Sequence, residues 1–193
     1  MPIAILKYNA GNVQSVQFAL RRLGTEAILT NDLAALRAAS HVIIPGVGEA
    51  GSAMAYFKEH GLDAFIPTLT QPVLGICLGL QIMCAHSEEA DTPCLGIFPN
   101  SVGLFRGEFK VPQIGWNSVK HTETGLFKGI PEEAYMYYVH SYYADIRSHT
   151  IARTNYMGDF SAALVRDNFT AVQFHPEKSA TDGARLLHNF LVL

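Results

Sequence analysis

The chain has 193 residues, of which 49% are hydrophobic and 16% are charged, and its formal net charge is −3 at pH 7. A chain of this length and composition can bury a sizeable core, which argues against disorder. Its Lys and Arg residues form no basic cluster, so no nucleic-acid partner is expected.

The first residues have no basic region before their short apolar run, and no run approaches the roughly 18 apolar residues of a membrane span. We therefore expect a cytoplasmic protein without a membrane partner. The three cysteines, Cys77, Cys84 and Cys94, are odd in number and lack C-x-x-C spacing, which argues against a disulfide framework or a zinc site. We expect no metal and no cofactor.

The first half of the chain alternates short apolar runs with segments of helical periodicity. The predicted strands are Ile3–Leu6, residues 26–30, the run that opens SHVIIPGVGEA, and PVLGI at 72–76. Four helices are predicted. The first has Asn12 as a possible cap and ends at Gly24, and its apolar residues at helical spacing are Val13, Val16, Phe18, Leu20 and Leu23. The second is capped by Asn31 or Asp32, the third covers SAMAYFKEHGL, and the fourth runs from about residue 78 to 86. This alternation predicts a parallel, doubly wound α/β sheet with helices on both faces.

The second half is rich in short β-like runs punctuated by Gly, Pro and Asn, such as KVPQIGWNSVKH and EAYMYYVHSYYAD. These runs predict additional antiparallel or mixed strands, and ATDGARLLHNFLVL predicts a closing amphipathic helix. Neither an internal repeat nor a linker interrupts the chain. One domain over residues 1–193 is the simplest interpretation.

Cys77 is the central residue of Gly75-Ile76-Cys77-Leu78-Gly79, where a predicted strand turns into a predicted helix. G-x-C-x-G is the cysteine form of the nucleophile elbow, whose sharp turn needs small flanking residues. The turn would direct the thiol to the carboxyl end of the sheet, where the helix N-terminus favours the thiolate. The N–H of Leu78 would be free to bind an oxyanion. The alternative is that Cys77 is a small buried apolar residue.

Two further segments provide candidate partners for this cysteine. His175 follows an apolar run in AVQFHPEKS, Pro176 ends that run, and Glu177 follows, so a base and a group that orients it can share one side of the turn. In VIIPGVGEA, the Pro45–Gly48 turn exposes backbone N–H groups that can form a second oxyanion donor. The alternatives are a structural histidine and an ordinary loop.

PGVG, GICLGLQ and FHPEKS, in this order, resemble the hallmarks of the class I (triad) glutamine amidotransferases. The resemblance implies a three-layer Rossmann- or flavodoxin-like domain that hydrolyses L-glutamine to glutamate and ammonia. It implies that Cys77 is the nucleophile, that His175 is the base and then the acid, and that Glu177 orients the imidazole. The oxyanion would be held by the N–H groups of Leu78 and Val47.

Four other segments, YNAGNVQSV, SEEAD, VPQIGWN and YYVHSYYAD, resemble the glutaminase subunits of imidazole glycerol phosphate synthase, an enzyme of histidine biosynthesis. This resemblance covers essentially the whole chain, although Lys7 and Asn9 replace an acid and a glycine that are common in that branch. It implies that glutamine is bound by Gly48, Gln81, Glu89, Ser141 and Tyr142. Glu89 would pair with the substrate ammonium group.

The same resemblance implies a heterodimer with a separate (β/α)₈-barrel cyclase subunit, which receives the ammonia and makes imidazole glycerol phosphate. The candidate contact residues are Asn12, Gln113, Trp116, Tyr137 and Lys178. Two other functions are compatible with the motifs. One is a related amidotransferase that feeds a synthase of surface-sugar amination or pyridoxal phosphate synthesis. The other is a non-catalytic binding or regulatory module with this fold.

Overall fold

The computed structural model describes residues 2–9, 11–122 and 125–193. Within these residues the helices are α1 Val13–Arg22, α2 Leu33–Ala38, α3 Ala50–Glu59, α4 Leu62–Phe65, α5 Leu78–Met83 and α6 Ala180–Leu191. The strands are β1 Ile3–Leu6, β2 Ala27–Thr30, β3 His41–Ile44, β4 Val73–Ile76, β5 His86–Ser87, β6 Thr92–Pro93, β7 Ser101–Leu104, β8 Gln113–His121, β9 Ala134–His140, β10 Tyr142–Ala144, β11 Thr150–Asn155, β12 Asp159–Arg166 and β13 Phe169–Val172.

The main sheet has the strand order β2-β1-β3-β4-β13-β12-β11-β8-β9. The pairs from β2 to β13 are parallel. The pairs from β13 to β9 are antiparallel. A second sheet has the order β10-β7-β5-β6. The predicted α/β architecture, a parallel sheet extended by antiparallel strands of the second half, is confirmed.

Helices cover both faces of the parallel strands, and the alternation of side chains along β1 shows how. Ile5 packs into a cluster with Leu20 of α1 and Phe190 of α6. Its neighbour Leu6 points to the opposite face and packs into a second cluster, which includes Phe57 of α3. Because successive strand residues face opposite sides, one strand supplies both cores. The predicted three-layer arrangement is therefore present.

Two details differ from the sequence predictions. Helix α5 ends at Met83 rather than near residue 86, because Cys84 is already extended and His86 joins β5. Phe18 is predicted to belong to the apolar stripe of α1, but it is 53% exposed. The inward positions are taken by Val16 and Leu20, four residues apart, whereas Phe18 lies midway between them and projects away from the core.

No α-helix in the described parts of the chain is both long enough and apolar enough to cross a membrane.

Candidate active site

Cys77 lies between β4 and α5 with φ 54° and ψ −105°, a strained backbone conformation for a residue with a side chain. The chain passes so close to itself here that a Cβ on Gly75 would lie 2.8 Å from the backbone of Gly79. A Cβ on Gly79 would overlap the carbonyl oxygen of Ile44 in β3. The strand, the strained turn and the helix predicted around Cys77 are therefore present, and the two glycines are needed for close packing.

His175 and Glu177 form a buried pair directly after β13. The imidazole Nδ1 lies 2.8 Å from Glu177 Oε1, and the same carboxylate oxygen accepts a hydrogen bond from Asn12 Nδ2 at 2.5 Å. His175 also interacts electrostatically with Cys77, although no described residue makes a well-formed hydrogen bond to its Nε2. The carboxylate, the imidazole and the sulfur thus form one connected group.

The charge state of His175 reflects opposing effects. Burial alone would lower the pKa of the imidazole, since it disfavours the charged form. The charge of a nearby Cys77 thiolate, the hydrogen bond to Glu177 and the charge of Glu177 together outweigh burial and raise the pKa of His175 to about 10. At neutral pH the imidazole is therefore protonated and can deliver a proton to a leaving group.

A cavity of about 280 Å³ opens at Cys77, close to the lower end of the range for small-molecule sites. All the predicted glutamine contacts and both predicted oxyanion residues line it. The lining residues are Val47, Gly48, Leu78, Gln81, Glu89, Pro112, Val139, His140, Ser141 and Tyr142, together with Cys77. Pro112, Val139 and His140 were not predicted from the sequence.

The expected free N–H of Leu78 is occupied in this conformation. It donates to the carbonyl oxygen of Gly46 at 3.3 Å. The Gly46 carbonyl and the Val47 N–H belong to the same trans peptide and point in opposite directions. While Gly46 holds Leu78, the Val47 N–H is directed away from that contact. The two predicted oxyanion donors are therefore not presented together.

Glu89 lines the cavity, is half-buried, and has one carboxylate oxygen held by a hydrogen bond within the chain. Its Oε2 accepts a hydrogen bond at 2.7 Å from the backbone N–H of Ala50, the first residue of α3. Burial raises the pKa of Glu89, and this hydrogen bond opposes the rise. The contact to α3 fixes one carboxylate oxygen beside the cavity.

His140 is a buried histidine in the cavity wall. Its Nδ1 lies 2.7 Å from the carbonyl oxygen of Tyr142, and its Nε2 lies 3.0 Å from the side-chain amide of Gln113. Burial, with a smaller contribution from the charge of His175, lowers the pKa of His140 to about 4. His140 is therefore neutral under the conditions in which His175 is charged.

Two of the five predicted partner contacts, Gln113 and Asn12, bind other side chains of the same chain. Gln113 is 4% exposed and its side chain faces His140, so its contact with a partner stays a prediction that the burial of this side chain does not favour. It alternates on β8 with Ile114, which is 64% exposed. Asn12 stands at the N-cap position of α1, but its side chain does not cap that helix and instead binds Glu177.

The other three predicted contact residues lie together at the surface. Trp116 is 52% exposed, and its ring lies 6.1 Å from that of Tyr137, with which it pairs across β8 and β9. The ammonium group of Lys178 lies 5.9 Å from the Tyr137 ring centroid. His175 donates its backbone N–H to the carbonyl of Tyr137 at 2.8 Å, so this cluster adjoins the segment that holds the His175–Glu177 pair.

Across residues 2–9, 11–122 and 125–193, no group of three or more His, Cys, Asp or Glu side chains is placed to hold a metal ion.

Comparison with known proteins gives consistent matches over the whole chain. A family model described as glutamine amidotransferase class-I matches residues 5–193. The chain is 53% identical over 196 residues to the imidazole glycerol phosphate synthase subunit HisH of Bacteroides fragilis, with 100% of each chain covered. It is 44% identical over 194 residues to the imidazole glycerol phosphate synthase subunit HisH 2 of Legionella pneumophila, covering 99% of this chain and 98% of that one.

Among solved structures, a putative GMP synthase subunit from Thermoplasma acidophilum superposes with a TM-score of 0.79 at 20% identity. The match covers 100% of this chain and 93% of that one. At this identity the likeness concerns the fold.

Proposed function

The chain belongs to the class-I glutamine amidotransferase family, and from this membership we propose that it is the glutaminase subunit of an imidazole glycerol phosphate synthase. It hydrolyses L-glutamine to glutamate and ammonia and passes the ammonia to a cyclase subunit in histidine biosynthesis. The observation that carries the proposal is the cavity at Cys77, which joins the strained cysteine to the lining residues expected of a glutamine pocket. We further propose a single domain and a cytoplasmic location.

The proposed reaction is acyl transfer. The Cys77 thiolate attacks the side-chain carbonyl of glutamine, and the tetrahedral intermediate collapses to a thioester as His175 gives its proton to the leaving ammonia. His175 then takes a proton from water, which attacks the thioester and releases glutamate. Glu177 keeps the imidazole oriented through the 2.8 Å contact at Nδ1.

Substrate recognition is assigned to the residues around the cavity. Glu89 binds the ammonium group, for which its position beside α3 provides a fixed carboxylate. Ser141 provides a donor for the α-carboxylate, and Gly48 allows the substrate to approach the backbone. Gln81 and Tyr142 line the same space and are linked by a hydrogen bond at 2.9 Å.

Completion of the oxyanion site requires a change at one peptide. Rotation of the Gly46–Val47 peptide would remove the Gly46 carbonyl from Leu78 and turn the Val47 N–H towards Cys77. Both donors would then face the reacting carbonyl oxygen. Losing one oxyanion donor typically costs about 10²–10³ in rate, so docking of the cyclase can activate the glutaminase by favouring this rotation.

The cyclase is proposed to dock on the exposed side of β8 and β9. Ile114, Trp116, Tyr135 and Tyr137 form this surface, which we call the aromatic face. Val139 continues the same side of β9 and lines the cavity, so the aromatic face leads directly to the active site. Ammonia that escaped into water would become ammonium, which is not a nucleophile, and docking here encloses its exit.

The decisive experiment uses the glutaminase reconstituted with a barrel cyclase. Cys77→Ala is expected to abolish synthesis from glutamine, because the nucleophile is gone, while added ammonium still supports synthesis by the pair. Without its partner, the wild-type chain is expected to hydrolyse glutamine at least about 10²-fold more slowly than the pair. Glutamine-dependent synthesis by Cys77→Ala would overturn the assignment of the nucleophile, and equal wild-type turnover with and without the cyclase would overturn activation by docking.

Two further measurements separate the alternative functions. Stoichiometric labelling of Cys77 by a diazo-oxo-norleucine distinguishes an amidotransferase from a non-catalytic module, which would remain unlabelled even with its partner. Co-purification with a barrel cyclase distinguishes this branch from a related amidotransferase that serves another synthase.

A further inference from the structure

Gln173 is a fully buried residue whose carboxamide lies between two active-site side chains. Its Nε2 donates to Cys77 Sγ at 3.6 Å, and its Oε1 accepts from Gln81 Nε2 at 3.2 Å. The parallel pairing of β13 with β4 explains the placement. Val172 pairs with Ile76, so the residues that follow them, Gln173 and Cys77, lie side by side.

The direction of these hydrogen bonds is fixed by a backbone carbonyl. The oxygen of Tyr142 can only accept, so the group of Gln81 that faces it at 2.9 Å must be the nitrogen, Nε2. The second hydrogen on that nitrogen points to Gln173, which must therefore present its oxygen there. The NH₂ group of Gln173 is consequently directed at the sulfur of Cys77.

We propose that Gln173 is a positioning residue, which stabilises the thiolate of Cys77 and fixes the direction of its sulfur, and that Gln81 orients Gln173. The proposal deepens the proposed function, since it takes Cys77 as the nucleophile. An N–H donor binds an anionic sulfur more strongly than a neutral thiol and so favours the charged form. The same N–H is in place to receive the thiolate when glutamate is released.

The arrangement also limits what Gln81 can do for the substrate. Both hydrogens of its Nε2 are used, one by Tyr142 and one by Gln173. The Oε1 of Gln81 is therefore the atom available to glutamine, and Gln81 acts on the substrate as a hydrogen-bond acceptor. One side chain thereby contacts the substrate and, through Gln173, holds the nucleophile.

The test measures the rate of Cys77 alkylation by iodoacetamide against pH in the full chain, with the modified cysteine identified by peptide mass spectrometry. Gln173→Leu keeps the size of the side chain and removes the donor, and its profile is expected to shift upward by about 1 pH unit. Gln173→Glu keeps the shape and places an acceptor and a negative charge beside the sulfur, so its profile shifts further. Unshifted profiles for both variants would overturn the proposal.

The role of Gln81 is tested by Gln81→Met, which removes the donor to Gln173 without touching the sulfur. A smaller upward shift is expected, because Gln173 is then free to turn its amide. If the alkylation profile shifts in the Gln173 variants but not in Gln81→Met, Gln81 does not orient Gln173. Circular dichroism checks the fold, and if only one of the two Gln173 variants folds, an unshifted profile of that variant overturns the proposal.

The alkylation experiment needs neither glutamine nor a cyclase, so its result is independent of the glutaminase assay. Failure of the wild-type pair to hydrolyse glutamine would count against the proposed function alone. Unshifted variant profiles in a chain that does hydrolyse glutamine would count against Gln173 alone.

Discussion

One carboxylate oxygen of Glu177 receives hydrogen bonds from a near neighbour in the sequence and from a distant residue. His175 Nδ1 reaches it from two residues away and Asn12 Nδ2 from the loop before α1. The hydrogen bond from Asn12 fixes the carboxylate in place, and the contact with Glu177 and its charge help to raise the pKa of the His175 imidazole. The His175–Glu177 pair is therefore held by the loop before α1 as well as by its own turn.

The short-range part of this site could be predicted from the sequence, because a motif such as GICLGL places its residues by local geometry. The positions of Gln173, His140 and Gln113 could not be predicted in the same way. Their neighbours are set by the pairing of β13 with β4 and of β8 with β9. A shift of one residue in either register would turn these side chains to the opposite face.

His140 leads to a prediction about stability and pH. In the unfolded chain it takes up a proton near its ordinary pKa of 6.5, whereas burial holds its folded pKa at about 4. Between these values the unfolded state binds more protons, so stability falls as the pH falls. The free energy of unfolding is measured by denaturant titration at pH 7 and pH 4.5. In His140→Gln its decrease between these two pH values is expected to be smaller than in the wild type by up to about 3 kcal/mol.

The matched control is His188→Gln, which replaces an exposed histidine on α6. His175 does not interfere in this window, because its raised pKa contributes stability that is complete below pH 6.5 and is lost only as the pH rises towards about 10. Equal pH dependence in His140→Gln and the wild type would contradict the buried, neutral state of His140.

At the level of elements, the alternation of strand and helix in the first half was a reliable guide, since each apolar run is short and bounded by turn residues. The end of α5 was predicted less well. The apolar sequence IMCA continues the helical pattern, but Cys84 leaves the helix so that the chain can enter β5 in the second sheet. The end of α5 therefore depends on the pairing of β5 with β7, a contact between segments that are distant in the sequence.

The contact between α5 and β3 leads to a prediction about Gly79. A methyl group on this residue would overlap the carbonyl oxygen of Ile44, and neither backbone can move without displacing the sheet. Gly79→Ala is therefore expected to destabilise the protein by at least about 2 kcal/mol, despite the better helix propensity of alanine. Denaturant unfolding measures the change.

Gly103→Ala in β7 is the control for this substitution. A Cβ there would meet only the carboxylate of Glu88 at 3.9 Å, an ordinary van der Waals distance. Both variants add one methyl group, but only the methyl group at residue 79 would overlap a neighbouring backbone atom. If Gly79→Ala and Gly103→Ala unfold at the same denaturant concentration, the packing of α5 against β3 does not require a glycine at residue 79.

On the scale of the whole molecule, the two halves of the main sheet have different surroundings. The parallel half is covered by helices on both faces, whereas the antiparallel half ends in β8 and β9 with its outer face open. On that open face, Trp116, Ile114 and Tyr135 are each more than half exposed, at 52%, 64% and 61%. A contiguous exposed apolar surface beside a catalytic cavity is typical of a protein–protein interface.

Trp116 provides the test of this surface, because a large aromatic side chain near the centre of an interface commonly contributes about 2 kcal/mol or more to binding. Trp116→Ala is expected to weaken association with the cyclase by about 30-fold, measured by titration calorimetry. Ile28→Ala is the control, since Ile28 is 40% exposed on β2 at the opposite edge of the sheet and should leave the affinity unchanged. If the two variants bind equally well, the cyclase docks elsewhere, and the route from the aromatic face past Val139 to Cys77 does not carry the ammonia.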